Sequence, residues 1–468
     1  MSAPATGYVV AIDNGSQSTK VLIVDGDGTV HASARVALRP YSSPAPGRWE
    51  HPDDDLWDSI VAATRIAVSG FAGDPSEIRG IGLCTIRFCR AVLRADGSLA
   101  QPVMSWMDER LPRPFERETD DAAYVTTSSG YIGHRLTGQR RDAAGNVQGV
   151  WPIDTARWAW STDDAEYART GMDPAMLFEL VPPGETLGAL TAEAAALLGL
   201  PAGLPVIATS NDKAVEALGA GLRDEGEALL SLGTYVATMT PGDRPLPPHS
   251  DVWTNFSSVP GGYLYESSGV RRGMWTVSWF RELLSSAAGD ATEEELNRGA
   301  EDVPVGSGGL VAALDWLAPT DEPWRRGALV GFDGTQGRFH VYRAILEALA
   351  IETEAGDARA RHALGRPRRG LVVTGGGSGS DLMLRILAAV YDVPVRAPRV
   401  HDAAGMGAAI CAAVGTGLHR RWDAAIDSMV GSGAVVQPDI ELVQEYADVR
   451  LTYERVIPRV RTLFAPPA

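Results

Sequence analysis

Cysteine is scarce: three residues, Cys84, Cys89 and Cys411, in a chain of 468. They carry no metal-ligand spacing and are too few to staple a chain this long, so disulfide frameworks and zinc modules are excluded. The three read as small apolar residues in a reducing compartment. Positive charge is also in deficit. Lys plus Arg number 42 against 59 Asp plus Glu, a net charge of −17, which argues against a nucleic-acid partner because phosphate backbones reward clustered cations. A polyanionic ligand must then be held by backbone amides, a metal ion and a few chosen cations. No apolar run approaches the roughly 20 residues that span a bilayer. Met1 to Gly7 lacks the basic and apolar regions of a signal peptide. No membrane partner is expected, and the cytoplasm is the expected location. Two nucleotide fingerprints are missing as well. Gly-x-x-x-x-Gly-Lys-Ser/Thr occurs nowhere, and the glycine-rich turn Gly375 to Ser380 has Ser where Gly-x-Gly-x-x-Gly needs its last Gly. Both P-loop and dinucleotide readings weaken.

What is present describes a globular α/β protein. With 45% hydrophobic and 22% charged residues, the chain can bury large cores, and its length predicts two domains of roughly 200 residues each. Tyr8 to Ile12, Val21 to Val24 and Thr29 to Val36 read as a β-meander. Its first turn, Asp13-Asn14-Gly15-Ser16-Gln17-Ser18-Thr19-Lys20, is rich in Gly, Ser and Thr, with a carboxylate at its start and a cation at its end. That chemistry suits a phosphate and a metal; an ordinary hairpin turn fits the segment equally well. A helix from Asp53 to about Ser69 and a strand from Ile78 to Cys84 follow. Strand and helix then alternate, so the sheet is at least partly parallel.

Arg87-Phe88 and Trp106-Met107-Asp108-Glu109-Arg110 bring an aromatic face, carboxylates and arginines close to one strand end. A polyol site needs such groups, and solvated charge around a packed Trp is the alternative. Tyr124 to Leu136 predicts a helix. The stretch Ala143 to Ser161, with Trp151, Trp158 and Trp160, fits either a cap over the site or a local subcore.

The apolar run Leu204 to Ala208 leads to Asn211-Asp212-Lys213 and a small-residue helix, Ala214 to Gly221. Open α/β sheets place their chemistry at such a strand end, which makes Asp212 the candidate base; a helix N-cap is the competing reading. Ala228 to Leu232 ends in Gly233-Thr234 before a returning strand, repeating the opening pattern of strand, glycine with hydroxyl, strand. Pro241 to Ser250 reads as a linker, which divides the chain into residues 1–242 and 243–468. In the second half, a long helix over Arg343 to Arg359 precedes the strand Leu371 to Thr374. Its glycine turn and the helix from Asp381 make an anion or nucleotide seat, because bare backbone approaches the ligand while the helix dipole faces it. Asp402 to Val414 is a last Gly- and Ala-rich helix.

In this order the blocks resemble the FGGY carbohydrate kinase family, the sugar and polyol kinases of the actin-like ATPase superfamily. The resemblance runs from Tyr8 to about Gly415. The residues that carry it are Asp13 to Lys20, Trp106 to Arg110, Asn211-Asp212, Leu232-Gly233-Thr234 and Gly375 to Ser380. It implies an α/β fold of two actin-like (ribonuclease H-like) domains, with mixed sheets flanked by helices and a catalytic cleft between them. It further implies ATP and Mg²⁺ as cofactors, a small sugar or polyol as substrate and a possible homodimer. Carried over, Asp13 and Asp212 would serve the Mg²⁺, and Gly15, Ser16, Gln17 and Lys20 would lie around the transferring phosphoryl. Gly233 and Thr234 would hold the β- and γ-phosphates, while Gly376, Gly377 and Ser380 would border adenine and ribose. Asp212 would accept the proton of the attacking hydroxyl. Arg87, Phe88, Trp106, Asp108, Asp212 and Lys213 would face the sugar.

The chain departs from the family at the sugar. Arg87-Phe88 replaces the Arg-Glu of glycerol-like kinases and the Met-His common in pentulose kinases, and Lys213 stands where Asn or Gln is usual. Arg87 and Lys213 fit a substrate with an acidic or strongly polar end; pairing with Asp108 and Glu109 is the alternative. Two other readings of the chain stay open here, a non-catalytic sugar-binding regulator and a chaperone-like ATPase on the same fold.

Overall fold

A computed structural model describes residues 7–233, 235–285, 291–319 and 321–466. Two mixed sheets carry the molecule. The first holds β1 (Tyr8–Asn14), β2 (Ser18–Asp25), β3 (Val30–Ala37), β4 (Ile78–Thr85), β5 (Thr186–Ala189) and β6 (Pro205–Asn211), in the order β5-β6-β4-β1-β2-β3. The second holds β7 (Glu227–Leu232), β8 (Val236–Gly242), β9 (Val252–Phe256), β10 (Tyr263–Ser267), β11 (Gly370–Gly375), β12 (Val395–Pro398) and β13 (Ser432–Val436), in the order β9-β10-β8-β7-β11-β12-β13.

The two sheets repeat one plan. β1 pairs antiparallel with β2 and parallel with β4, and β4 pairs parallel with β6. β7 likewise pairs antiparallel with β8 and parallel with β11, and β11 pairs parallel with β12. The duplication suggested by the two glycine-bearing turns is therefore present in the strand pairing. The stretch expected as a linker, Pro241 to Ser250, connects β8 to β9 within one sheet; the chain changes sheets earlier, ahead of β7.

Each sheet is covered by helices whose apolar faces it buries. α1 (Asp55–Ser69) turns Leu56, Ile60, Ala63 and Ala67 onto Val10, Ile12, Val21 and Ile23 of the first sheet. In the second half, α4 (Arg338–Leu364) buries Ala344, Ile345, Ala348 and Leu349 with Leu230, Leu232 and Val373. Helix α3 (Gly273–Leu284) and helix α5 (Asp381–Tyr391) contribute Val277, Phe280, Leu382 and Ile386 to the same core.

Two further helices position the site, α2 (Asp212–Gly219) and α6 (Ala403–Gly415). They cross with almost no side chain between them: a Cβ built on Gly219 would lie 1.8 Å from the Ala403 carbonyl oxygen, and one on Gly407 would lie 2.0 Å from that of Val215. Only glycine permits so close a backbone approach. The Gly/Ala composition of α6 is thus a packing requirement.

One predicted element starts late. Tyr124–Thr127 is a strand paired with Arg90–Leu93, and the helix begins at Ser128, capped by Thr127, whose side chain accepts the Ser129 N–H. The β-branched Val125-Thr126-Thr127 run prefers the pleated partner to a helical turn. The tryptophans of residues 143–161 pack into two local cores. Trp151 is buried in a small core with Val92, Met104 and Leu111, and Trp160 packs against that core and donates to the Phe178 carbonyl. Trp158 reaches the second sheet, donating to the Tyr263 hydroxyl at 3.1 Å and packing on Phe256. No helix among the described residues is long and apolar enough to cross a membrane.

Candidate active site

Both glycine hairpins open onto one cavity of about 1140 Å³. From the β1–β2 turn it is lined by Asp13, Gly15, Ser16, Gln17 and Lys20, and from the β7–β8 turn by Gly233. Arg87, Phe88 and Trp106 line it from the end of β4 and beyond. Asp212 and Lys213 reach it from the start of α2, and Gly376 from the turn after β11. Thr234 lies outside the described residues.

Asp212 is free of the capping duty that offered a competing reading. Asn211 is the N-cap, its side-chain oxygen accepting the Ala214 N–H at 3.2 Å, and Asp212 is the first helical residue. Burial holds the Asp212 carboxyl above the ordinary carboxylate range, against the pull of the Arg87 and Lys213 charges. A carboxylate so raised is a better proton acceptor than a solvated one.

Asp13 shares the β1–β2 end of the cavity with Lys20, whose ammonium stands 3.5 Å from it and 3.3 Å from Asp402. Burial, together with the Asp402 and Asp212 charges, pushes the Asp13 carboxyl up to about 7 in spite of Lys20. Lys20 itself is drawn down by burial, but Asp13 and Asp402 leave it above its ordinary value. Asp402 caps α6 by accepting the Gly405 N–H at 3.2 Å and also lines the cavity. In sequence it reads as a helix start and nothing more, so its second role carries no signal. No group of three or more metal-ligating side chains occurs among the described residues.

The two cations expected near Asp108 and Glu109 pair elsewhere, which corrects that alternative. Lys213 donates to Glu216 at 2.9 Å and to Ser231 at 2.6 Å, and Thr374 completes this network by donating to Glu216 at 2.7 Å. Arg87 crosses the cleft to Glu266 of β10 with two hydrogen bonds, at 2.7 and 3.0 Å. Asp108 is buried away from the cavity. It accepts from Arg110 at 2.8 and 2.7 Å and from the Trp49 N–H at 2.8 Å, so its carboxylate organises the Trp106 loop rather than the cavity wall. Trp106 stays half exposed at the wall.

Among the polar residues that line the same cavity without having been singled out in the sequence are Glu266, Asn255 and Gln148. Asn211 donates to the Gly145 carbonyl and to Asn255, each at 2.9 Å, and Gln148 donates to the same Asn255 oxygen. For Asn255 and Glu266 the available signal was a polar residue inside a buried strand. Glu266 sits within Tyr263–Ser267, where every residue is buried.

Beyond Gly376 a smaller cavity of about 450 Å³ is lined by Gly376, Gly379 and Ser380 together with Asn297, Arg298 and Glu301. Ser380 caps α5 by accepting the Met383 N–H and donates to Asn297 at 2.9 Å, where the Tyr342 hydroxyl also donates. Gly377 lines neither cavity. It is packed on Leu232, where a Cβ would meet Cδ1 at 2.7 Å.

The chain matches models of one family in both halves. The model for the FGGY family of carbohydrate kinases, N-terminal domain, matches residues 8–117, and that for the C-terminal domain matches residues 228–416. An uncharacterized sugar kinase, YgcE, of Escherichia coli (strain K12) is 44% identical over 430 residues, 90% of this chain and 87% of that protein. Xylulose kinase of Bacillus subtilis (strain 168) is 24% identical over 97% of this chain and 98% of its own length. The crystal structure of xylulose kinase from Rhodospirillum rubrum aligns with a TM-score of 0.82 at 25% identity, covering 98% of this chain and all of that one.

Proposed function

The chain belongs to the FGGY family of carbohydrate kinases, and from that membership we propose that it is a cytoplasmic enzyme transferring the γ-phosphoryl of ATP to a hydroxyl of a small sugar, ketose or polyol, with Asp212 as general base. One observation carries the reading: Asp212 lines a cavity that receives both glycine hairpins, one from each sheet. Phosphoryl transfer is mostly positioning and charge neutralisation, and this wall supplies carboxylate, amides, hydroxyls and a lysine at one place.

In this reading the sugar lies against Trp106 and Phe88 with its reacting hydroxyl toward Asp212, which takes the proton as the oxygen attacks. The amides of the Gly15 to Gln17 and Gly233 turns and the Lys20 ammonium orient the phosphates. Adenosine extends past Gly376 toward Ser380. The two domains follow the sheets, with the boundary between α2 and β7. The carboxylates fit a hard divalent cation: burial and the Asp402 and Asp212 charges raise the proton affinity of Asp13, a crowding of negative charge that a cation relieves. Mg²⁺ is usually held by one or two carboxylates plus phosphate and water, so Asp13 and Asp212 would hold it, with Asp402 beside them. When bound it neutralises charge on the phosphate oxygens. Closure of the domains excludes water and suppresses ATP hydrolysis.

The test is ADP release with Mg²⁺-ATP across pentuloses, hexuloses, pentitols, tetritols, glycerol and sugar acids. A strong responder whose turnover is lost in Asp212→Asn supports the assignment; silence across the panel with ATP still bound withdraws the reaction and leaves the fold.

A further inference from the structure

The sugar end of the cavity holds one buried ion pair that spans the cleft. Arg87 follows β4 of the first sheet and Glu266 lies in β10 of the second; their side chains are 13% and 2% exposed. Nη1 and Nη2 of the guanidinium each donate to one oxygen of the same carboxylate. The guanidinium also lies 5.2 Å from the Phe88 ring centroid and 5.1 Å from that of Trp253. Trp253 and Glu266 are direct partners in the β9–β10 ladder, so they stand on one face and approach Arg87 together. All four residues line the cavity with Asp212.

An arginine held against two adjacent aromatic rings beside a reacting site is a ready receptor for a carboxylate, because its fork matches carboxylate geometry. Here the receptor is filled from within the protein. The other cation whose charge reaches Asp212 is Lys213, and it is filled in the same way by Glu216 and Ser231. An acidic sugar entering this end would have to break a buried pair and face the displaced Glu266 carboxylate, an arrangement that costs far more than a surface contact gains. A neutral polyol has no such conflict.

We propose that Glu266 is the charge-selecting residue of this site: by occupying Arg87 from the opposite domain, it makes the cavity accept uncharged sugars and reject their carboxylate counterparts. The inference rests on the carbohydrate-kinase reading of the cavity. It assigns to Glu266 a positioning role, exerted through Arg87, and it makes specificity depend on both domains.

The test compares a neutral sugar that the wild type phosphorylates with the aldonic acid of the same carbon skeleton. Glu266→Gln keeps a hydrogen-bond acceptor but releases the Arg87 charge. The acid-to-neutral ratio of kcat/KM is expected to rise at least tenfold, and the gain should shrink in high salt. Arg87→Gln leaves Glu266 unpaired and should move the ratio the other way, below wild type. A merely structural role would lower both substrates alike in both variants, and an unchanged ratio overturns the proposal. Binding of the two sugars without ATP, followed by tryptophan fluorescence on the folded fraction, reads the same ratio apart from turnover. Wild-type silence on every sugar, neutral and acidic, would sink the kinase reading, whereas a wild type that prefers the acid, or an active wild type with an unmoved ratio in Glu266→Gln, would sink the selector alone. Should Glu266→Gln fail to fold, the opposite shift required of Arg87→Gln still decides the matter.

Discussion

Asn211 caps the helix whose first residue is Asp212, and the same Asn211 amide donates across the cleft to Asn255. Asp212 is therefore relieved of capping and is held by a neighbour that touches both sheets. Asp212→Asn keeps volume and polarity, so it should leave folding and ATP affinity nearly unchanged while lowering kcat by roughly 10²- to 10⁴-fold, the usual worth of a general base. Steady-state turnover beside a nucleotide-binding titration checks this. Turnover close to wild type would remove Asp212 from the mechanism.

Asp402 separates capping from charge in one side chain. Asn caps a helix about as well as Asp, so Asp402→Asn should change unfolding stability by less than about 0.5 kcal/mol. It also strips a carboxylate from beside Lys20 and Asp13, and turnover should fall at least tenfold and need more Mg²⁺ to saturate. Asp402→Ala should add a capping loss of about 1 kcal/mol. Equal turnover in wild type and Asp402→Asn, across a magnesium titration, would reduce Asp402 to a cap.

Much of this was legible in the chain because it is local. The β1–β2, β7–β8 and Gly375 turns announce themselves by glycine and hydroxyl residues beside apolar runs, the Asp212 strand end by a carboxylate closing an apolar run, and the cavity gathers all of them. What stayed hidden is contributed across the cleft. Glu266 and Asn255 sit in strands of the second sheet, and nothing in their own neighbourhoods says that Arg87 and Asn211 will meet them. Asp108 misled for the opposite reason: its motif neighbour Arg110, two residues away, claims its carboxylate. The expected linker misled because proline and glycine mark an exposed connection, whether within a sheet or between domains.

The crossing of α2 and α6 couples packing to chemistry, since Asp212 begins one helix and Asp402 caps the other. Gly407→Ala would press a Cβ to 2.0 Å from the Val215 carbonyl oxygen, which is backbone and cannot swing aside. Overpacking of this kind costs about 1–3 kcal/mol, and the forced separation should lower kcat as well. Gly376→Ala is the contrast, because nothing lies within 4 Å of its Cβ position. It should leave the melting temperature unchanged and raise KM for ATP by narrowing the passage between the two cavities. Thermal unfolding and ATP kinetics on both variants would refute the crossing argument if Gly407→Ala were as stable as Gly376→Ala.

His51 supplies a pH dependence that can be measured without any substrate. Its ring is buried edge-on to Tyr41, with Cys89 Sγ 3.9 Å from Nε2. Burial pulls its pKa down to about 4, with the Asp55 charge only partly opposing. Between about 6.5 and 4 the unfolded chain therefore binds a proton that the folded chain does not, so stability rises with pH through that window and is lost as pH falls. The loss should reach about 3 kcal/mol at the acid end. Tyr41 donates to the Ser16 carbonyl in the β1–β2 turn, so protonating His51 disturbs the residue that braces that turn. Urea unfolding at pH 7.5 and pH 4.5 for wild type and His51→Gln isolates the effect as a double difference: the gap between the two proteins should narrow or reverse at low pH. Parallel losses in both would mean that the acid sensitivity lies elsewhere and that this imidazole is protonated in the folded protein.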